Sequence, residues 1–276
     1  MKLKFSKMHG LGNDFMVIDG VNQRVELNPQ QIGRWADRHT GVGFDQLLLV
    51  EKADDPAALF KYRIFNADGG EVEQCGNGAR CFARFVRSHG LTDATSIPVQ
   101  TRGGLITLNM IDDSRVEVNM GVPDFEPAHI PLAAAQRQDQ YQLDINGQSI
   151  HFSALSMGNP HALLVVDDVD TAAVETLGPA LESHPFFPHK VNVGFMQVVS
   201  SHEFRLRVFE RGVGETLACG SGACAAMAAG RQLGLLAENA TGRLRGGELL
   251  LGWQGEGKPV MMTGDTAEVF DGEIKI

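Results

Sequence analysis

Short apolar runs broken by turn residues dominate the chain. Arg115-Val-Glu-Val-Asn119 alternates with period two, and Asp112-Asp113 supplies a hairpin turn before it. Met16–Asp19, Gln46–Val50, Lys61–Phe65, Ile97–Thr101 and Leu105–Asn109 read as further strands. In the second half Ala162–Val166, Val193–Val199, Arg205–Phe209 and Glu248–Gly252 read the same way. Strands this numerous, joined by turn-length connections, predict mostly antiparallel sheets. Helical spacing is rarer. Ala79, Phe82, Ala83 and Val86 share one face, with Gly90 as a stop. Ala223–Ala229 is apolar all round, the mark of a helix buried on every side. Asn28-Pro29 opens a shorter helix running to Asp37, and Thr171–Gly178 reads as another, ended by its glycine.

The pattern occurs twice. Phe60-Lys-Tyr-Arg-Ile-Phe-Asn66, followed by Gly70-Glu-Val-Glu-Gln-Cys-Gly-Asn-Gly-Ala-Arg80, matches Phe204-Arg-Leu-Arg-Val-Phe-Glu210, followed by Gly214-Glu-Thr-Leu-Ala-Cys-Gly-Ser-Gly-Ala-Cys224. Gly12-Asn13 corresponds to Gly158-Asn159, and Gly41-Val-Gly-Phe-Asp-Gln46 to Asn192-Val-Gly-Phe-Met-Gln197. Three matches in one order predict a duplicated unit. The expected fold is α+β: two pseudo-symmetric domains, each a mostly antiparallel sheet wrapped around a central helix whose N-terminus carries a cysteine. Residues 1–119 with a returning strand at 265–276 form the first half, and 120–264 the second. Met120–Asp124 reads as the crossover, and the active site is expected in the cleft between the halves.

At 276 residues the chain is long enough for two cores. Its net charge of −10 argues against a nucleic-acid or acidic-membrane partner, because phosphate binding needs basic surface. No apolar stretch reaches the ~20 residues of a membrane span, and Met1–Gly10 lacks the apolar core of a secretory signal. A cytoplasmic protein is expected. Its four cysteines are then expected as thiols and not as structural disulfides.

Cys75 and Cys219 stand 144 residues apart, each heading a Gly-x-Gly-Ala turn into a helix. A helix N-terminus stabilises an anion and so favours thiolate. The same glycine-rich turns expose N–H groups on which a carboxylate can sit. A base beside an anion cradle suits proton abstraction alpha to a carboxylate. Two matched thiols suit removal of a proton from one face of a carbon and its return to the other. Cys81 and Cys224 lie inside helical segments and read as small core residues. The cysteine spacings do not suit zinc, and no metal is expected. A Cys–His hydrolase with His161 as base is a competing reading that leaves the second cysteine unexplained. Oxidation to a Cys75–Cys219 disulfide stays open. Glu71 and Glu215 match between the repeats and read as loop anchors.

His9-Gly-Leu-Gly-Asn-Asp-Phe15, Gly43-Phe-Asp-Gln46, Phe65-Asn-Ala-Asp68, Cys75-Gly-Asn-Gly-Ala-Arg-Cys81, Gly158-Asn-Pro-His161, Glu210-Arg-Gly212 and Ala218-Cys-Gly-Ser-Gly-Ala223 resemble, in order and nearly end to end, the motifs of the diaminopimelate epimerase family. Proline racemase-like and phenazine-biosynthesis isomerase-like proteins share the wider fold. The resemblance implies cofactor-independent epimerisation of LL-2,6-diaminoheptanedioate to the meso form, a step toward lysine and peptidoglycan precursors, by a homodimer. It makes Cys75 and Cys219 the catalytic base and acid. It assigns Asn13, Gln46, Asn66, Gly76, Asn77, Asn159, Asn192, Glu210, Arg211, Gly220 and Ser221 to the substrate, and His161 with Glu210 to tuning of the cysteine protonation states. Arg211 can grip a distal carboxylate with two parallel hydrogen bonds. A proline or hydroxyproline racemase, and a non-catalytic amino-acid-binding or redox-regulated protein, are the alternatives.

Overall fold

The computed structural model describes residues 2–72 and 75–275; Met1, Glu73, Gln74 and Ile276, which include the outer ends of the expected first half, lie outside the described residues. The chain divides into two compact units, Met1–Asn119 with Thr263–Ile276 and Met120–Met262.

The first unit contains β1 (Lys2–Gly10), β2 (Asn13–Asp19), α1 (Pro29–Ala36), β3 (Gln46–Lys52), β4 (Phe60–Asn66), β5 (Glu71–Val72), α2 (Gly76–Ser88), β6 (Ser96–Thr101), β7 (Gly104–Met110) and β8 (Arg115–Asn119). The second contains β9 (Tyr141–Ile145), β10 (Gln148–Ser156), β11 (Pro160–Val165), α3 (Val174–Glu182), β12 (Asn192–Ser200), β13 (Glu203–Glu210), β14 (Gly214–Thr216), α4 (Gly220–Gln232), β15 (Asn239–Leu244) and β16 (Gly247–Trp253). The division falls within β17 (Val260–Asp265), and β18 (Ala267–Lys275) returns to the first unit, where it pairs antiparallel with β1.

The two units repeat one pairing scheme. In the first, β2 runs parallel to β3, β3 antiparallel to β4, and β4 holds both antiparallel β5 and parallel β6. In the second, β11 and β12, β12 and β13, and β13 with β14 and β15 do the same. Each sheet curls about its own helix. α2 packs on β1, β2, β3, β4, β7 and β8, and α4 on β10, β11, β12, β13, β15 and β16. Close packing explains the small residues. Ala223, Cys224, Ala225, Ala226, Ala228 and Ala229 of α4 are all buried, so the sheet reaches the helix from every side.

Local signals explain most boundaries. Asn28 caps α1 by accepting the Gln31 N–H at 2.9 Å, with Pro29 at the first helical position. Gly90 adopts φ +67° just past α2. Asp112 accepts the N–H groups of Ser114 and Arg115, making the turn before β8. α3 differs from its expectation. It starts at Val174 and runs through Gly178 and Pro179 to Glu182. Gly178 serves close approach, not termination: a Cβ there would lie 2.7 Å from the Phe209 ring. Strands β1, β5, β9, β10, β14, β15 and β17 are not among those the sequence pattern predicts. For β9 and β10 a signal existed in Asn146-Gly147, which turns the hairpin at φ +55° and +81°. Among the described residues no helix is long and apolar enough to cross a membrane.

Candidate functional site

Cys75 is the N-cap of α2, in extended backbone immediately before the helix. Its thiol lies 3.6 Å from the Asn13 amide oxygen, to which Asn77 also donates at 3.4 Å. Asn13 is aimed by Asp45, which accepts its amide N–H at 2.9 Å. Asn77 is buried and accepts from the buried Arg80 at 2.9 Å. Gln46 and Asn66 face each other across β3 and β4, joined by a 2.9 Å hydrogen bond. That bond uses the Gln46 nitrogen. The Gln46 Oε1 is buried and has no partner among the described residues, an acceptor left over for a donor. Tyr62 packs beneath the turn, its hydroxyl 3.5 Å from the Cys75 carbonyl.

A charged network behind this turn was missed in the sequence. Asp14 accepts from Lys7 at 2.5 Å and from Arg38 at 2.8 and 2.9 Å. Arg38 also reaches Asp45, and Lys7 donates to the Gly43 carbonyl. Burial works against the charged Asp14, but Arg38 and Lys7 outweigh it and hold the carboxyl far below the usual carboxylate range. Asp14 and Asp45 sit inside the quoted motifs; what hid their role was that their partners Lys7 and Arg38 carry no pattern.

In the second unit, Cys219 is the N-cap of α4 and is 5% exposed. Its sulfur accepts the Gly222 N–H at 3.4 Å and lies 3.6 Å from the Ser221 hydroxyl. Both contacts favour thiolate, as expected of a helix N-terminus. They do not win. Burial and the charge of Glu210 push the Cys219 thiol well above its ordinary value, so it is a neutral thiol. From Ser221 a chain of contacts continues to Asn159 at 3.4 Å and on to His161 Nε2 at 3.0 Å. With the Asn159 nitrogen facing Ser221, its oxygen accepts from His161, which fixes the Nε2–H tautomer. Burial, helped by the Arg211 charge, lowers the His161 pKa to about 3, so the imidazole is neutral.

Asn192 pairs with His161 across β11 and β12. Its buried amide is used at both ends, donating to the Pro160 carbonyl at 2.9 Å and accepting the Arg211 N–H at 3.0 Å. The exposed Arg211 side chain donates to the His189 carbonyl at 3.2 Å. Glu210 accepts from Thr216 at 2.5 Å. Gly76 and Gly220 open their helices, with Asn77 and Ser221 next in each, positions whose N–H groups have no acceptor within the helix.

Other cysteines and matched acids fit plain roles. Burial pushes the Cys81 thiol up to about 12. Glu71 takes a two-point contact from Arg63 at 2.8 and 2.9 Å, and Glu215 one from Arg207 at 2.7 and 2.9 Å, tying β5 and β14 to their neighbours. An open pocket of about 740 Å³ lined by Arg205, Arg207, Arg243 and Arg245 includes none of the candidate residues. Its arginines are neutralised by Asp170, Glu203, Glu215 and Glu248.

The sequence profile of the family described as Diaminopimelate epimerase matches residues 5–126 and 153–269. The chain is 58% identical to the diaminopimelate epimerase of Nitrosomonas europaea over 276 residues, all of both chains. It is 56% identical to that of Nitrosospira multiformis, covering 100% of this chain and 99% of the relative. Among solved structures, a hydroxyproline epimerase from Agrobacterium vitis with bound trans-4-hydroxy-L-proline superposes with a TM-score of 0.72 at 16% identity, covering 99% of this chain and 92% of that one. At that identity the likeness speaks for the fold.

Proposed function

The chain belongs to the diaminopimelate epimerase family, and from that premise we propose that it interconverts LL- and meso-2,6-diaminoheptanedioate by a two-cysteine, cofactor-independent reaction. One thiolate takes the proton from the alpha carbon. The electron pair left behind spreads into the adjacent carboxylate, held by N–H groups of Gly76 and Asn77 and of Gly220 and Ser221. The other cysteine then gives its proton to the opposite face. The first cysteine ends as thiol and the second as thiolate, and the reverse reaction exchanges them.

The observation that carries this reading is the matched placement of Cys75 and Cys219, each the N-cap of its unit's helix, with Cys219 beside Ser221 and its thiol pushed upward by burial and Glu210. That upward push suits Cys219 to giving the proton, and Cys75 then takes it in that direction. His161 acts as a neutral dipole through Asn159 and Ser221, and Glu210 keeps Cys219 protonated until the substrate needs its hydrogen. Arg211 grips the distal carboxylate. The unpartnered Gln46 Oε1, with Asn13, Asn66, Asn159 and Glu210, supplies acceptors for ammonium groups, and Asn192 serves the substrate by holding the Arg211 N–H. The family resemblance extends the proposal to a cytoplasmic homodimer serving lysine and peptidoglycan precursor synthesis.

The test is incubation with LL-2,6-diaminoheptanedioate in deuterated water without added pyridoxal phosphate. Alpha-deuteration and meso product are expected, and their absence sinks the reading. Exchange into trans-4-hydroxy-L-proline instead would move the protein to the racemase alternative.

A further inference from the structure

We propose that Glu182 is a positioning residue that fixes the Arg211 turn and so sets the affinity for the far end of a two-headed substrate; this rests on the reading of Arg211 as the clamp for the distal carboxylate. Glu182 is a nearly buried carboxylate that the proposed chemistry does not use, with 10% of its side chain exposed. It stands at the last position of α3, where the helix dipole disfavours negative charge. Burial there needs strong partners. They are the Gly212 N–H, donated at 2.8 Å, and the Lys190 ammonium at 3.2 Å, both to Oε1.

Two further features converge on the same turn. Lys190 has φ +61°, a left-handed conformation unusual for a residue with a side chain. It follows His189, whose carbonyl receives the Arg211 guanidinium. On the other side, the buried Asn192 accepts the Arg211 N–H. Gly212 itself turns at φ +74°. The backbone of Arg211 is thus held on both flanks, by Asn192 at its own N–H and by Glu182 at the next. The guanidinium rests on the loop whose lysine Glu182 also holds. A flexible side chain becomes a clamp only if its root is fixed, because holding it in place otherwise costs binding free energy.

A residue acting this way changes substrate binding more than the proton transfer. Glu182→Leu, which removes the acceptor, is expected to raise KM roughly 10-fold or more with kcat within about 3-fold of wild type. Glu182→Gln keeps an oxygen for the Gly212 N–H and is expected to hold KM within about 3-fold of wild type. A purely structural role would not split KM from kcat, nor be rescued by glutamine. Arg211→Met is run alongside. If it leaves KM unchanged, the clamp reading fails; if it raises KM while Glu182→Leu does not, the positioning role fails. Should Glu182→Leu not fold, as judged by circular dichroism, Lys190→Met decides. Lys190 is half exposed, and its loss is expected to raise KM roughly 3-fold by loosening the same carboxylate; an unchanged KM overturns the proposal.

Discussion

Thr216 donates its hydroxyl hydrogen to Glu210 at 2.5 Å, across the β13–β14 hairpin. The two residues diverged together: their repeat counterparts are Val72 and Asn66. A hydrogen bond to a carboxylate is stronger than one between neutral groups, so Thr216 fixes where the Glu210 charge sits. Thr216→Val is expected to lower kcat/KM about 10-fold and Thr216→Ser to restore most of it, measured by steady-state epimerisation. Valine with full activity would remove Thr216 from the site.

Glu210 in turn raises the Cys219 thiol by its charge and hydrogen bond, second to burial. Glu210→Gln removes the charge, so the Cys219 pKa falls. Thiolate absorbance in the ultraviolet is expected at lower pH in Glu210→Gln than in wild type, each read against its own Cys219→Ser background. No displacement, or a displacement upward, would contradict the assignment.

Cys75→Ala and Cys219→Ala are each expected to abolish epimerisation, by about 10³-fold or more, while circular dichroism stays that of wild type. Full activity in either variant would refute the two-cysteine mechanism.

Gly78 sits where a Cβ would lie 2.4 Å from the Tyr62 hydroxyl. Alanine is the better helix former by up to ~1 kcal/mol, so a net loss in Gly78→Ala reports the contact. A destabilisation of about 1–3 kcal/mol is expected in urea unfolding. Tyr62→Phe removes the nearest atom, so the double variant should recover about 1 kcal/mol relative to the sum of the singles. Strict additivity would exclude the clash.

Asp14 is charged in the folded protein far below its ordinary value of 3.8. A depressed carboxylate contributes stability that is present above its unfolded pKa and lost as pH falls through the folded one. Asp14→Asn leaves Lys7 nearly buried without its carboxylate. At neutral pH it is expected to cost about 3 kcal/mol. The gap from wild type should hold down to about pH 4 and narrow below it, read from chemical unfolding at successive pH values. A gap that does not change with pH would mean that the cost is packing, not charge.

The duplication was legible because matching motifs recur in one order, and the strands around each cysteine and the two helices they cap because each rests on local spacing: period two, period 3.6, or a glycine after a helix. The Asn146-Gly147 hairpin is equally local. Gly178 shows where local reading fails. A glycine that ends a helix and one that admits a neighbouring ring look alike in sequence, and only Phe209 packed against it tells them apart.

The same division runs through the site. The sequence alone determined which residues the proposed chemistry is assigned to, because Cys75 and Cys219 head matched turns and the flanking motifs are contiguous. Tertiary structure decided their protonation and aim. Cys219 has the helix N-terminus its motif promised, yet burial and Glu210 make it a neutral thiol. Asn13 is aimed by Asp45, Asp14 is held by Lys7 and Arg38, and the Arg211 turn is fixed by Asn192 and Glu182. Burial and the distance to a charge far off in the chain belong to the fold, and no spacing along the sequence encodes them.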